Sequence, residues 1–108
     1  MSGPAKTPKP PYYAVIFTSL QSDDTEGYRQ TARRMLELAA QQPGYLGVES
    51  AREDLGITVS YWTDLDSIAA WRDNAEHSEA RRIGRQCWYS KYALRVCKVE
   101  KAYSRGVD

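Results

Sequence analysis

The sequence contains few of the residues from which most active sites are built. Its 108 residues include one histidine, His77, and two cysteines, Cys87 and Cys97. A structural zinc site takes about four histidine or cysteine ligands, so we expect no metal site. No glycine-rich phosphate loop, dinucleotide-binding fingerprint or nucleophile elbow is present. The sequence therefore gives no motif for nucleotide binding or for a Ser-His-Asp triad.

Strong charge and long apolar segments are also missing. The chain has 15 basic and 14 acidic residues, which gives a formal net charge of +1. This balance predicts no binding to nucleic acid or to an anionic membrane, because both require a basic surface. No apolar run approaches the roughly 20 residues of a membrane span. With its two cysteines expected as free thiols, the protein is predicted to be cytoplasmic.

The first eleven residues differ in composition from the rest of the chain. Residues 1–11 (MSGPAKTPKPP) include five that are proline or glycine. They have no apolar core of the kind found in a secretory signal. We therefore expect a disordered N-terminal arm over residues 1–11 and a single domain over residues 12–108, a typical domain length.

Alternating segments rich in β-forming residues and helix-forming residues follow the arm. Strands are predicted at residues 12–20, 45–53, 57–62 and 92–103. A helix is predicted at residues 25–41, with its start signal in residues 22–26, and another after a Thr63 cap. That second helix is interrupted at Asp73-Asn74, and a further helix is predicted at residues 77–89. The order is β-α-β-β-α-β with a broken second helix.

Two β-α-β halves of this kind predict an α+β, ferredoxin-like fold with an antiparallel sheet and helices on one face. In the first strand, Val15 and Phe17 point to one face and Ala14 and Ile16 to the other. Both sets are apolar, and a monomer rarely leaves a large apolar face in water. We therefore expect a homodimer joined through the face without helices, with strand-four residues such as Leu94 and Val96 at the contact.

The second half of the chain has the most specific sequence features. They are SYW at residues 60–62, the tryptophan of IAAW at Trp71, His77 with Ala80, and GRQCWYSKYALRVCKVE at residues 84–100. With the order of elements, they resemble the antibiotic biosynthesis monooxygenase (ABM) family of dimeric α+β-barrel proteins, and within it a poorly characterised bacterial subgroup. The resemblance covers about residues 12–103. It implies a homodimer with a pocket between sheet and helices in each subunit.

The family resemblance implies two kinds of chemistry: oxidation of polycyclic phenols by O₂ without metal or flavin, or cleavage of haem. His77 and Trp71 are the candidate catalytic residues. An imidazole with a pKa near 6.5 suits a general base that deprotonates a phenol, and it can also ligate haem iron. Trp71 can stack against a flat ligand. The candidate substrate-binding residues, expected to line the same pocket, are Trp62, Tyr61, Arg81, Trp88 and Tyr92.

Structural roles are the alternative for each of these residues: a histidine that packs at a helix junction, core aromatic rings and a solvated arginine. At the level of function, the alternative to a cofactor-independent monooxygenase is a non-catalytic dimer that binds haem or a small apolar ligand, or a haem-degrading monooxygenase. The first strand, YYAVIFTSL, contains no asparagine, which the resemblance implies for active members, and this favours the binder. The concentration of aromatic residues around His77 favours the enzyme.

Overall fold

A computed structural model describes residues 3–107 of the chain. Seven regular elements follow in this order: β1 (Tyr12–Gln21), α1 (Tyr28–Ala39), β2 (Tyr45–Arg52), β3 (Leu55–Trp62), α2 (Leu65–Asp73), α3 (Ala75–Ile83) and β4 (Tyr89–Val99). A π-helical turn, Gly84–Trp88, joins α3 to β4. The predicted ferredoxin-like α+β fold, with its interrupted second helix, is confirmed. Within residues 3–107, no helix is both long enough and apolar enough to cross a membrane.

The four strands form one antiparallel sheet in the order β2-β3-β1-β4. Residues paired across antiparallel strands point to the same face. One face, here called the helical face, carries Trp62, whose ring stacks on Trp71 of α2. Its partner Tyr13 places Val15 and Phe17 on this face too, and Ala14 and Ile16 on the opposite, open face. The predicted division of β1 between two faces is therefore confirmed.

The helices begin at other residues than the sequence predicts. α1 begins at Tyr28 after Gly27, without a side-chain cap. The preceding loop is instead hydrogen-bonded to Trp88. The Ser22 N–H donates to the Trp88 carbonyl at 2.8 Å, and Trp88 Nε1 donates to the Glu26 carbonyl at 2.8 Å. The predicted start in residues 22–26 is therefore wrong, since this loop holds the π-turn against the end of β1.

The cap of α2 is also displaced by one residue from its predicted position. Asp64, and not Thr63, accepts a hydrogen bond from the Ser67 N–H at 2.7 Å. The interruption after α2 is produced by Asn74, whose ψ of 131° leaves the helical range. Its Oδ1 accepts from the N–H of His77 at 3.1 Å and so caps α3. One residue thus ends one helix and begins the next.

Residues 3–11 contact the sheet, although the sequence predicts a disordered arm over residues 1–11. The Ala5 N–H donates to Glu49 Oε2 at 2.8 Å, and Thr7 Oγ1 shares a hydrogen bond with the Tyr12 hydroxyl at 2.8 Å. Residues 1 and 2 of the predicted arm lie outside the described residues. The contacts of Ala5 and Thr7 lie at one corner of the open face, where Tyr12 is buried.

The turn between α1 and β2 packs against α2, and substitution of its glycine tests this contact. Gly44 has a φ of +83°, and a Cβ placed there would lie 2.1 Å from Ser67 Oγ of α2. Gly27 has a φ of +79°, but a Cβ there would meet nothing closer than the Trp88 ring at 4.0 Å. We expect Gly27→Ala to lose about 1–2 kcal/mol of unfolding free energy from backbone strain alone. Gly44→Ala should lose about 1–3 kcal/mol more from overpacking.

Urea denaturation of both variants measures this difference, and Gly27→Ala serves as the control for the left-handed backbone. Equal losses in the two variants would show that α2 does not pack closely over the turn.

Candidate active site

Three of the predicted site residues form a continuous stack of rings on the helical face. The centroids of Trp62 and Trp71 lie 6.2 Å apart with the rings tilted by 26°. The rings of Trp71 and His77 lie 4.0 Å apart and within 10° of parallel. Trp62 ends β3, Trp71 is in the last turn of α2 and His77 is in the first turn of α3. The stack therefore joins the sheet to both halves of the interrupted helix.

The backbone at the interruption fixes the orientation of the imidazole. The Trp71 carbonyl, near the end of α2, accepts from the Asn74 N–H at 3.2 Å and bonds His77 Nδ1 at 2.8 Å. Carbonyls in the last turn of a helix have no partner within the helix, so His77 satisfies one of them. Because the His77 N–H is held by Asn74 Oδ1, both the backbone and the ring of this residue are fixed.

The same hydrogen bond determines which ring nitrogen carries the proton. A carbonyl oxygen can only accept, so Nδ1 of His77 is the donor. In the neutral imidazole, Nε2 is then unprotonated and has a free lone pair, which can take a proton or bind a metal. The junction thus prepares the ring for either of the two chemistries expected from the sequence.

The surroundings of His77 keep the ring neutral. Burial lowers the pKa of His77 below its usual value of 6.5, the hydrogen bond to the Trp71 carbonyl opposes that effect, and the charge of Arg81 lowers the pKa further. At neutral pH the imidazole is therefore present as a base, and it remains one at pH values at which an exposed histidine is already protonated.

Arg81 lies beside this junction but is engaged with the backbone. Its Nη1 donates to the carbonyl of Arg72 at 3.3 Å, and Ser78 Oγ donates to the same oxygen at 3.0 Å. The side chain is exposed. Arg81 thus helps to close the end of α2, and in this conformation its guanidinium is turned toward the helix end.

Tyr61 lies on the opposite side of the sheet from the stack. It is paired with Ala14 on the open face, and its hydroxyl donates to Glu49 Oε1 at 2.5 Å. Burial, and then the bond to Glu49, raise the pKa of Tyr61. The expectation that Tyr61 and Trp62 line one pocket is wrong, because consecutive residues of a strand point to opposite faces.

Trp88 and Tyr92 belong to a second aromatic cluster. Trp88 is 5% exposed and packs edge-on against Tyr28 at 5.5 Å, while Tyr92 lies 5.8 Å from Phe17. Tyr92 is paired with Ser19, six residues along β1 from the Tyr13 partner of Trp62. Six residues of strand span about 20 Å. The predicted single site is therefore divided between the two ends of the helical face.

Two cavities adjoin α1, and neither is lined by Trp71 or His77. One, of about 300 Å³, lies between α1 and α3 beside the ion pair of Arg34 and Glu76. The other, of about 360 Å³, contains Arg29 and Arg52. The sequence patterns did not single out these two arginines. The available signal was Gly56 within β3, because a glycine inside a strand often marks the close approach of another group.

The state of His77 can be measured directly, because the chain contains one histidine and its ring signals need no assignment. We expect an NMR titration to give a midpoint below 6.5, and ¹⁵N shifts to show the Nδ1–H tautomer at neutral pH. Replacing the like charge in Arg81→Gln should move the midpoint upward.

Thermal unfolding at different pH values is an independent check. Since the folded state binds the proton less tightly than the unfolded state, the contribution of His77 to stability is complete above pH 6.5 and is lost as pH falls toward the folded pKa. An NMR titration midpoint of His77 at or above pH 6.5, or the Nε2–H tautomer, would contradict the geometry of the junction.

The comparisons with known proteins agree with this fold. A family profile described as antibiotic biosynthesis monooxygenase matches residues 11–83. The uncharacterized protein YqjZ of Bacillus subtilis is 57% identical over 99 residues, which cover 90% of this chain and 87% of that protein. Among solved structures, SnoaB, a cofactor-independent oxygenase from Streptomyces nogalater, has a TM-score of 0.74 at 13% identity, covering 89% of this chain and 100% of its own.

A protein from Mycobacterium tuberculosis has a TM-score of 0.75 at 12% identity, covering 86% of this chain and 99% of its own. Likeness to structures at such low identity shows the fold alone. The profile match covers more than half of the chain and shows the family. The chain belongs to the antibiotic biosynthesis monooxygenase family.

Proposed function

We propose that the protein is a cofactor-independent monooxygenase that oxidises a phenolic aromatic compound with O₂ beside Trp71 and His77. The observation that carries this proposal is the hydrogen bond from His77 Nδ1 to the Trp71 carbonyl, which leaves Nε2 as a fixed base next to an indole ring. Membership of a monooxygenase family supports it, as does the fold shared with a cofactor-independent oxygenase.

In the proposed reaction, His77 Nε2 takes the proton of a phenol whose ring lies against the edge of Trp71. The resulting anion is rich in electrons and reacts with O₂ at a ring carbon that carries hydrogen, which forms a C–O bond and a peroxide anion. The imidazolium returns its proton to give a hydroperoxide. Loss of the remaining hydrogen from that carbon, with cleavage of the O–O bond, yields a ketone and water. The substrate supplies all four electrons, so no other reductant is needed.

The stack would contribute to this reaction by holding the imidazole partly buried and in one orientation. Its imidazole is half-buried, and the same burial that lowers the pKa of His77 also strengthens electrostatic interactions with a bound anion. The ring cannot rotate without losing its bond to the Trp71 carbonyl. A base held in one orientation approaches the reactive geometry without a further loss of conformational entropy.

A binding protein for haem is the second candidate, and it too depends on the unprotonated Nε2 of His77, here as an iron ligand. The residues fit haem less well than they fit a phenol, because Arg81, the candidate partner for a haem propionate, is bonded to the backbone carbonyl of Arg72. A titration with haem distinguishes the candidates: a stable Soret band supports a binder, and a band that disappears with reductant supports haem cleavage.

Oxygen uptake with a polycyclic phenol tests the base. We expect His77→Ala to lower the rate by about a hundredfold or more, the usual size of a general-base contribution. In the unsubstituted enzyme the rate should fall as pH drops below 6.5, with a midpoint at the lowered pKa of His77, since the base must be unprotonated. This acidic limb should be absent in the variant.

Trp71→Phe is a second test, and Trp88→Phe is its matched control, because Trp88 is a core residue at the other end of the sheet. It should lose on the order of 1–3 kcal/mol of stability and retain the rate of the folded enzyme. Trp71→Phe should show the reverse, a loss of rate that exceeds its loss of stability. An unchanged rate and acidic limb in His77→Ala would exclude the imidazole as the base.

We propose further that two copies of the chain associate through the open face. Leu55 and Ile57 of β3 are 50% and 42% exposed there. The expectation that Leu94 and Val96 lie on the uncovered face is wrong. The register pairs Leu94 with Phe17 and Val96 with Val15 on the helical face, since the strand alternation fixes their direction.

Sedimentation velocity at micromolar concentration tests the dimer. We expect a particle of twice the 12.3 kDa chain mass. Ile57→Asp should dissociate it, because it buries an unpaired charge at the contact. Leu65→Asp, which alters another exposed aliphatic side chain at the start of α2, should leave it intact. Sedimentation of the unsubstituted protein as a monomer would overturn the proposed dimer.

A further inference from the structure

The larger cavity has positively charged and polar walls. Its volume is about 360 Å³, and its lining residues are Gln21, Thr25, Tyr28, Arg29, Ala32 and Arg52. It lies between α1 and the neighbouring ends of β1 and β2, in the same region as Ser19 and therefore about 20 Å along the sheet from Trp62. No acidic side chain lines it. The cavity is thus separate from the Trp71–His77 site.

Arg52 is held in this cavity by neutral groups. Gly56 pairs with Arg52 on one side and with Ser19 on the other, and the guanidinium crosses over the glycine between them. A Cβ at Gly56 would lie 2.2 Å from Arg52 Cζ. Arg52 Nη2 donates to Ser19 Oγ at 2.5 Å and Nη1 to the Ser19 carbonyl at 3.2 Å. The side chain is therefore positioned while its charge is not neutralised.

Arg29 adds a second positive charge from α1. Within residues 3–107, the ion pairs are formed by Arg34, Arg72 and Arg82, so neither cavity arginine has a carboxylate partner. Arg29 lies in the first turn of α1, which has no acidic residue and no side-chain cap. The positive end of the helix dipole therefore adds to the positive potential that the two guanidinium groups create in the cavity.

The walls of the cavity indicate the kind of anion that fits. A guanidinium binds a carboxylate through two parallel hydrogen bonds. The cavity also contains Ala32 and the ring of Tyr28, and its volume lies in the range of sites for small organic molecules. An inorganic anion would leave these apolar surfaces without a contact. A flat ring that carries a carboxylate satisfies both the charge and the apolar wall.

We propose that Arg29, Arg52 and the ring of Tyr28 form a binding site for a small aromatic carboxylate, distinct from the site at His77. In this complex the carboxylate lies between the two guanidinium groups, and the aromatic ring packs against Tyr28 and Ala32. Gly56 is required because any side chain there would displace Arg52.

Isothermal titration calorimetry with sodium benzoate, at constant ionic strength, tests the site. We expect saturable binding that weakens by about tenfold or more in Arg29→Gln, the loss of one charge-assisted hydrogen bond. Arg33→Gln is the matched control: Arg33 is an exposed residue on the same helix that does not line the cavity. It removes the same charge but no residue of the cavity wall, so it should weaken benzoate binding clearly less than Arg29→Gln does.

Two further measurements identify what is recognised. Benzyl alcohol, which lacks the charge, should bind at least about tenfold more weakly than benzoate. Inorganic phosphate also pairs with guanidinium groups but lacks the ring, so it should bind more weakly than benzoate and compete poorly at equal concentration. Arg52→Lys retains the charge and loses the planar fork, so it should also weaken benzoate binding. Equal affinity for benzoate in Arg29→Gln and Arg33→Gln, equal affinity for benzyl alcohol, or effective competition by phosphate would each overturn the proposal.

The activity of the His77 site is measured separately with the phenol. Arg29→Gln should leave the rate of oxygen uptake unchanged, because Arg29 lies at the other end of the sheet. Failure of the carboxylate site is therefore distinguishable from failure of the proposed monooxygenase activity.

Discussion

The carbonyl oxygen of Trp71 is the acceptor on which the arrangement of the candidate active site depends. This oxygen lies in the last turn of α2, where it accepts hydrogen bonds from the Asn74 N–H and from the ring of His77. With this contact, the imidazole lies parallel to the indole and the two short helices keep their relative orientation. A structural need, the satisfaction of a carbonyl at a helix end, thus also sets the tautomer of the single histidine.

The structural and the proposed functional interpretation of His77 are compatible at this position. His77 packs at the helix junction, as the structural alternative expects, and the same contact leaves a neutral ring with a free Nε2. A residue fixed by packing is well suited to chemistry, because a catalytic group performs best when its surroundings already hold it in place. The packing of His77 is therefore consistent with its proposed role as a base.

The alternation of side chains along the strands separates the other candidate residues. Tyr61 and Trp62 are adjacent in sequence, yet Tyr61 bonds Glu49 on the open face while Trp62 is completely buried under α2. Along β1, the row at Tyr13 carries the stacked rings and the row at Ser19 carries Arg52 and the second aromatic cluster. The sheet therefore presents an aromatic site with a base at one end and a cationic cavity at the other.

The sequence by itself determined the order of the elements, the ferredoxin-like fold, the interruption of the second helix and the family, since each rests on local periodicity, helix-breaking residues or a motif. It also singled out Trp71 and His77, whose rings stack on each other in the structure. Only the tertiary structure decided that Tyr61 points away from them, that residues 3–11 contact the sheet and that Arg52 crosses Gly56 to reach Ser19. These facts depend on the register between strands and on contacts between residues far apart in the chain, and local sequence patterns carry no information about either.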